Sequence, residues 1–177
     1  MSMGSLLHVG CGFDSMPEWA VGKFDEIRLD ISPDVQPDIV ASMTDLGDIG
    51  PFDAIHCSHA LEHLPPHDVP VALSEFLRVL KEDGFVVLAV PDLEDVKATE
   101  EVLFEAPCGP ITGLDLIYGH RKALPEWPHM AHRTGFTRNT LEQAFREAGF
   151  GQVVVQRMPA YNLLAIAAKR AKKGAAA

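Results

Sequence analysis

Residues 56–67, HCSHALEHLPPH, hold four of the chain's eight histidines. Within them His59, Glu62 and His63 spell H-x-x-E-H. On a stable helix that spacing marks one group of zinc peptidases, with two imidazoles on the metal and the glutamate as general base. The local sequence does not support that chemistry. Pro65 and Pro66 follow His63 almost at once, and a residue before proline is pushed away from helical conformations. At about 3.6 residues per turn, no more than about one and a half turns fit between His59 and Leu64. That is too little helix to hold a catalytic pair, so no metal is expected here. His63 then has two readings: a buried histidine whose ring fixes the loop by backbone hydrogen bonds, or a general base facing a substrate. His56 alternates with Ile55 along an apolar run and reads as structural, and His67 beside Asp68 reads as a helix start.

A second constellation begins earlier. The apolar run SLLHVG ends in Gly10-Cys11-Gly12, and the next apolar run, DEIRLD, ends on Asp30. Glycines in a turn after a strand let backbone approach a ligand closely. An acid at the end of the neighbouring strand can accept both ribose hydroxyls of a nucleoside. A dinucleotide would need a third glycine where Ser15 stands, and a helix N-terminus for its pyrophosphate. Neither is present, which disfavours NAD and FAD. A third group of candidates lies between Asp92 and Gly135: Tyr118, His120, Trp127, His129 and His132, with Arg121 and Arg133 as residues able to hold an acidic substrate.

These side chains need a frame. SLLHVG, DEIRLD, PDIVAS, FDAIHCS and GFVVLAVP are short runs too apolar to face water, which predicts strands of a mostly parallel sheet covered on both faces. A weak helical stretch is expected after Gly12. Val69, Leu73, Phe76, Leu77 and Leu80 recur at helical spacing and predict an amphipathic helix. After Pro91 the periodicity breaks, and residues 92–135 read as a long structureless insert. Thr137 and Gly149 bracket a further helix as N-cap and stop. QVVVQRM and NLLAIAAK close the domain as two strands, an antiparallel edge pair. The predicted class is α/β: a trimmed Rossmann-like, doubly wound sheet, mostly parallel, with an antiparallel C-terminal strand. Residues 1–170 form one domain on this reading, and residues 171–177 a disordered tail.

The 177 residues suffice for one domain with a full core. At 47% hydrophobic and 23% charged, the composition is that of an ordinary globular protein. A formal net charge of −10 disfavours nucleic acid as a partner, although Arg121, Lys122, Arg133 and Arg138 could form a local basic patch. Three cysteines without a C-x-x-C motif suit a reducing compartment, and a cytoplasmic location is expected. No apolar run reaches the roughly 18 residues needed to span a bilayer.

In order and spacing, LLHVGCG, RLDISP, ASMTDLG, FDAIHCSHALEHL and LRVLKEDGFVVLAVPD resemble successive motifs of the class I S-adenosylmethionine-dependent methyltransferases, small type 11-like members included. The likeness covers roughly residues 5–92, and GFTRNTLEQAFREAGF resembles a late helix of the same family. The resemblance implies S-adenosyl-L-methionine as cofactor. Gly10, Cys11 and Gly12 would form its turn, Asp30 and Ile31 its ribose side, and Asp45 would face the adenine amine with Met43, Thr44 and Leu46 nearby. Ser58 and His59 would lie near the methionine portion. His8 stands where the family usually has an acid, and Asp14 where it often has a third glycine. No leading helix precedes the first strand, so the insert is expected to shield the cofactor and form the substrate side. The implied activity is methyl transfer to a small-molecule oxygen or nitrogen, with His63, His120 and His132 as candidate bases and a homodimer allowed. The alternative is a module of the same fold that binds the cofactor without efficient catalysis.

Overall fold

The structure, a computed structural model, describes residues 3–170. The expectation for the tail at 171–177 lies outside the described residues. Seven strands form the main sheet: β1 (Gly4–Val9), β2 (Phe24–Asp30), β3 (Ile39–Val40), β4 (Phe52–Ser58), β5 (Leu80–Pro91), β8 (Gln152–Met158) and β9 (Asn162–Ala168). Their order is β3-β2-β1-β4-β5-β9-β8. The first five pair in parallel, while β9 is antiparallel to both β5 and β8. All seven strands and their sense were expected, except that β9 is interior, so that of the closing pair β8 alone lies at an edge.

Hydrophobic periodicity explains the helices. α1 (Val69–Val79) buries Val69, Ala72, Leu73, Phe76 and Val79 on one stripe. α3 (Arg138–Glu147) starts at Thr137 in a reciprocal capping arrangement with Thr140 and stops before Gly149, whose φ is 99°. Both helices pack on the same face of the sheet, where Leu73, Phe76, Leu141 and Phe145 join the main core. Among the described residues the other face is covered without a helix. Residues 13–23 form turns rather than the expected weak helix, and they lay Trp19 over Leu6 and Ala54 beside Phe24 and Phe85. Pro17 and the positive φ of Gly22 break helical continuity there.

The insert is not structureless. It holds a separate two-stranded sheet of β6 (Val102–Ala106) and β7 (Gly109–Thr112), then α2 (Gly113–Tyr118), then a short 3-10 turn at Pro128–Met130. Its prolines read in sequence as breaks, but Pro110 sits in a two-stranded ladder with no interior strand, where a missing donor is tolerated. The two ends of the insert meet: Asp92 bridges Phe136, and Leu93 N donates to Phe136 O at 2.9 Å. Among the described residues no helix is long and apolar enough to cross a membrane.

Candidate active site

The carboxyl ends of the parallel strands gather the residues of interest, as open α/β sheets do. β1 runs into Gly10 and Gly12, with φ values of 63° and 48°, a region that penalises any residue with a Cβ. The two glycines serve different ends. A Cβ on Gly10 would lie 2.4 Å from the Ala60 Cβ, so Gly10 is small because the β4 loop packs on it. A Cβ on Gly12 would meet nothing within 4 Å, so Gly12 faces open space on the ligand side. Cys11 points the other way. It is fully buried, and burial raises its thiol pKa, so only its backbone belongs to the turn.

Asp30, at the end of β2, locks this turn. Its Oδ2 accepts from Gly12 N at 2.9 Å and its Oδ1 from Ser32 N at 2.9 Å. Each oxygen keeps further lone-pair capacity for a ligand hydroxyl. Ile31 beside it is 63% exposed, an apolar side chain with no core role. Arg28 completes the brace, donating to Gly12 O at 2.8 Å and Asp14 O at 2.6 Å. Sequence reading missed Arg28 and also Glu26. The latter stands 2.7 Å from Nδ1 of buried His8, the residue at the position where the family usually has an acid. Alternating polar residues on a strand offered no signal to separate these two from solvent-facing charges.

Asp45 lies exposed in a tight turn closed by the Ser42–Asp45 bridge, beyond the short β3. Leu46 needs correction as a cofactor contact. It is buried in the main core and its N–H is taken by Glu75 Oε2 at 2.9 Å, so it supports the turn from behind. Ser58 ends β4 half-buried, and His59 follows with φ 50° and its N–H on Ala89 O. This edge thus presents a carboxylate with spare lone pairs at Asp30 beside an exposed apolar side chain at Ile31. It does not suit a phosphate at the turn: Gly12 N–H is already committed to a carboxylate, and no helix starts behind it.

Next to this lies the histidine cluster. Leu61–His63 form a single 3-10 turn, so His59 and His63 do not stack on one helical face. His63 Nδ1 lies 3.3 Å from Ala131 O and Nε2 lies 3.1 Å from His59 O, contacts that tie the loop to the insert. Arg133 N and Thr134 N both donate to Glu62 O, at 2.8 and 3.1 Å, and Thr134 Oγ1 donates to Leu64 O at 2.6 Å. These straps bring His132 to His63, with ring centroids 5.3 Å apart. Burial lowers the His132 pKa, opposed by the Glu62 carboxylate. That same carboxylate, 3.4 Å from His59 Nδ1, raises the His59 pKa.

The structure therefore gathers His59, His63 and His132 and leaves His120 outside, its side chain making no hydrogen bond among the described residues. Trp127 of the insert meets Phe13 edge-on at 6.4 Å, one residue past Gly12. Phe13 is 74% exposed, an apolar ring held at the mouth of the turn. Arg121 is corrected as an anion holder. It is spent on Asp115 at 3.0 Å and Glu100 at 2.8 Å, which fix α2. A surface recess of about 590 Å³ lies at the amino ends of the strands around Lys23, Asp53 and Lys81, remote from all of this.

A family profile described as a methyltransferase domain matches residues 2–155. No curated protein matches the sequence. Several solved structures share the fold. One is a 1,6-didemethyltoxoflavin-N1-methyltransferase from Burkholderia thailandensis, solved with 1,6-didemethyltoxoflavin and S-adenosylhomocysteine. It is 17% identical, with TM-score 0.62 over 96% of this chain and 72% of that one. Another is an S-adenosylmethionine-dependent methyltransferase from Mesorhizobium loti, 18% identical, with TM-score 0.67 over 94% and 91%. A third, from Bordetella parapertussis, is described as a possible exported protein. It is 15% identical with TM-score 0.64, and the chain spans 63% of its length. At these identities the solved structures establish likeness of fold, while the family profile covers most of the sequence. The chain belongs to the class I S-adenosylmethionine-dependent methyltransferase family.

Proposed function

We propose that the protein transfers a methyl group from S-adenosylmethionine to an oxygen or nitrogen of a small molecule. The observation that carries this reading is the Asp30 carboxylate, held by Gly12 N–H and Ser32 N–H at the carboxyl end of β2 beside the open side of Gly12. When bound, the cofactor supplies a methyl carbon on sulfonium: the acceptor atom bonds to that carbon as the carbon–sulfur bond breaks, and the electron pair stays on sulfur. Asp30 would hold the ribose hydroxyls and Ile31 one face of the base. Ser58 and His59 would border the other end. Such a displacement needs alignment above all, and positioned reactants gain most of their rate from it.

The insert supports a small acceptor. Phe13 and Trp127 offer an apolar wall near the turn, and Tyr118 is exposed on the insert's α2. The acceptor's proton is assigned to His59, which follows Ser58 and whose Nδ1 stands 3.4 Å from the Glu62 carboxylate, and not to His120. The experiment is calorimetry with S-adenosylhomocysteine, followed by methyl-transfer assays against phenols, amines and heteroaromatic N–H compounds. The expected result is one bound equivalent and transfer to one of these classes. Binding without transfer to any of them would replace this reading by that of a cofactor-binding module.

A further inference from the structure

Glu62 is a buried carboxylate whose nearest cationic neighbour, His59 Nδ1, stands 3.4 Å from Oε1. It is 1% exposed, and neither carboxylate oxygen accepts a hydrogen bond. Buried charges are ordinarily paired or bound to metal. The groups that surround it are arranged for the second case. His132 Nδ1 lies 2.8 Å from Leu116 O. A carbonyl only accepts, so Nδ1 carries the hydrogen and Nε2 is left with a lone pair. That Nε2 faces Glu62 Oε1 at 4.0 Å. Two lone-pair atoms at that distance are too far apart to share a proton, and they repel unless a cation or a bridging donor sits between them. His63 adds a third donor. A neutral imidazole has one N–H, so only one of its two carbonyl contacts can be a hydrogen bond, and the other nitrogen has a lone pair to give.

We propose that Glu62, His63 and His132 bind one first-row divalent cation of the Mn²⁺, Fe²⁺, Co²⁺ or Zn²⁺ kind. One ligand atom from each lies within 4.8 Å of the other two. Bonds of about 2.0–2.2 Å place neighbouring ligand atoms roughly 3.0–3.4 Å apart, a contraction within reach of side-chain rotation. Two imidazoles and one carboxylate suit these metals better than Mg²⁺ or Ca²⁺, which prefer oxygen shells. The N–H of His132 on Leu116 O is the outer support that metal-bound histidines ordinarily have. This ligand set differs from the His59–His63 pair that the H-x-x-E-H spelling suggests, which the single 3-10 turn cannot build. It could not be expected from the stretch itself, because His132 arrives from the far end of the insert. The fold carries both ligand-bearing segments on a shared frame, since Arg133 N and Thr134 N are fastened to the Glu62 carbonyl. Three protein ligands leave positions open toward His59, which is 49% exposed. There the cation would polarise an acceptor oxygen or nitrogen and ease loss of its proton. That last role rests on the methyltransferase reading; the binding itself does not.

The test is Co²⁺ titration of tag-free protein, first stripped with chelator, followed by visible absorption and proton NMR. Expected are one equivalent bound and two strongly shifted, exchangeable imidazole N–H signals in the wild type. Glu62→Gln and His132→Ala should weaken uptake by more than about tenfold, the least that loss of even an outer partner costs. Glu105→Gln, on the β6–β7 hairpin, should leave it unchanged. S-adenosylhomocysteine binding is measured alongside on the stripped protein. Homocysteine-nucleoside binding without Co²⁺ uptake overturns the metal site and spares the methyltransferase reading. Co²⁺ uptake without nucleoside binding supports the site and overturns that reading. Uptake that survives both ligand substitutions, or that shows no shifted imidazole signals in the wild type, overturns the ligand set.

Discussion

Asp30→Asn tests the cofactor site most directly, because the structure says what each oxygen does. Oδ2 accepts from Gly12 N and Oδ1 from Ser32 N, both at 2.9 Å. In asparagine one of these positions becomes a donor. One backbone N–H then loses its acceptor, one ribose hydroxyl loses its partner, and the other hydroxyl keeps only a neutral one. A hydrogen bond to a charged group contributes about 1.5–3 kcal/mol and a neutral one about 1. Affinity for S-adenosylhomocysteine should therefore fall by about 2–3 kcal/mol, roughly 30- to 150-fold. Folding stability should fall by only about 1 kcal/mol, since the group is half-buried and water can reach the freed N–H. Asp38→Asn is the control. Its Oδ2 accepts from Arg28 N at 2.8 Å on the same strand but away from the turn. It should cost similar stability and leave affinity unchanged. Calorimetry at 25 °C and urea melts read the two quantities separately. A folded Asp30→Asn protein whose Kd stays within threefold of wild type would show that the ribose is not at Asp30.

Other outcomes follow from single residues. His56 has a buried Nδ1 without a partner, and burial with neighbouring His8 lowers its pKa to about 4. The unfolded chain thus binds this proton more readily than the folded one. Stability is fully present above about pH 6.5 and falls toward pH 4 by about 2 kcal/mol after allowance for partial solvent contact; His56→Leu should flatten that slope in urea melts. Gly10→Ala should destabilise by about 2–3 kcal/mol, from φ 63° and the 2.4 Å approach to Ala60, with a matching drop in the urea midpoint. Arg121→Met should loosen the insert alone. Asp115 is held well below the usual carboxylate range by Thr112 and Arg121 against the opposing effect of burial. Hydrogen exchange should therefore speed up around α2 while β1 and β4 stay protected.

The sheet was legible because its interior strands leave little choice of face. β4 and β5 alternate buried residues with half-buried ones, and their apolar content alone marks them as covered. Asp30 and the glycine turn were legible for a related reason: both lie at strand ends, and the parallel pairing of β1 with β2 brings them together without help from distant sequence. The histidine cluster is the opposite case. H-x-x-E-H suggested that His59 and His63 belong together, whereas the loop takes Glu62 inward and waits for His132. Nothing local in YGHRKALPEWPHMAHRTGF distinguishes His132 from His120. What selects His132 is the pair of N–H groups after it, on Arg133 and Thr134, which dock on Glu62 O across the fold. Arg121 misled for a similar reason, since a cation in a loop looks free until Asp115 and Glu100 are placed beside it.

His8 and Asp14, the two departures from the family pattern, are answered by β2. A glycine turn is usually steadied by the helix that follows it, and here only turns follow. β2 supplies the hold instead. Leu29 O receives Cys11 N at 3.1 Å, Asp30 receives Gly12 N, and Arg28 reaches back to the carbonyls of Gly12 and Asp14. Glu26, further down the strand, meets His8 beneath the turn. The residues that shape the binding edge thus come from one strand whose polar positions look like ordinary surface charge. These hydrogen bonds are made by β2, so the shape of the turn rests on the chain's own contacts. On the proposed reading, that is what would let Asp30 offer both oxygens to a ribose without first having to organise the backbone around it.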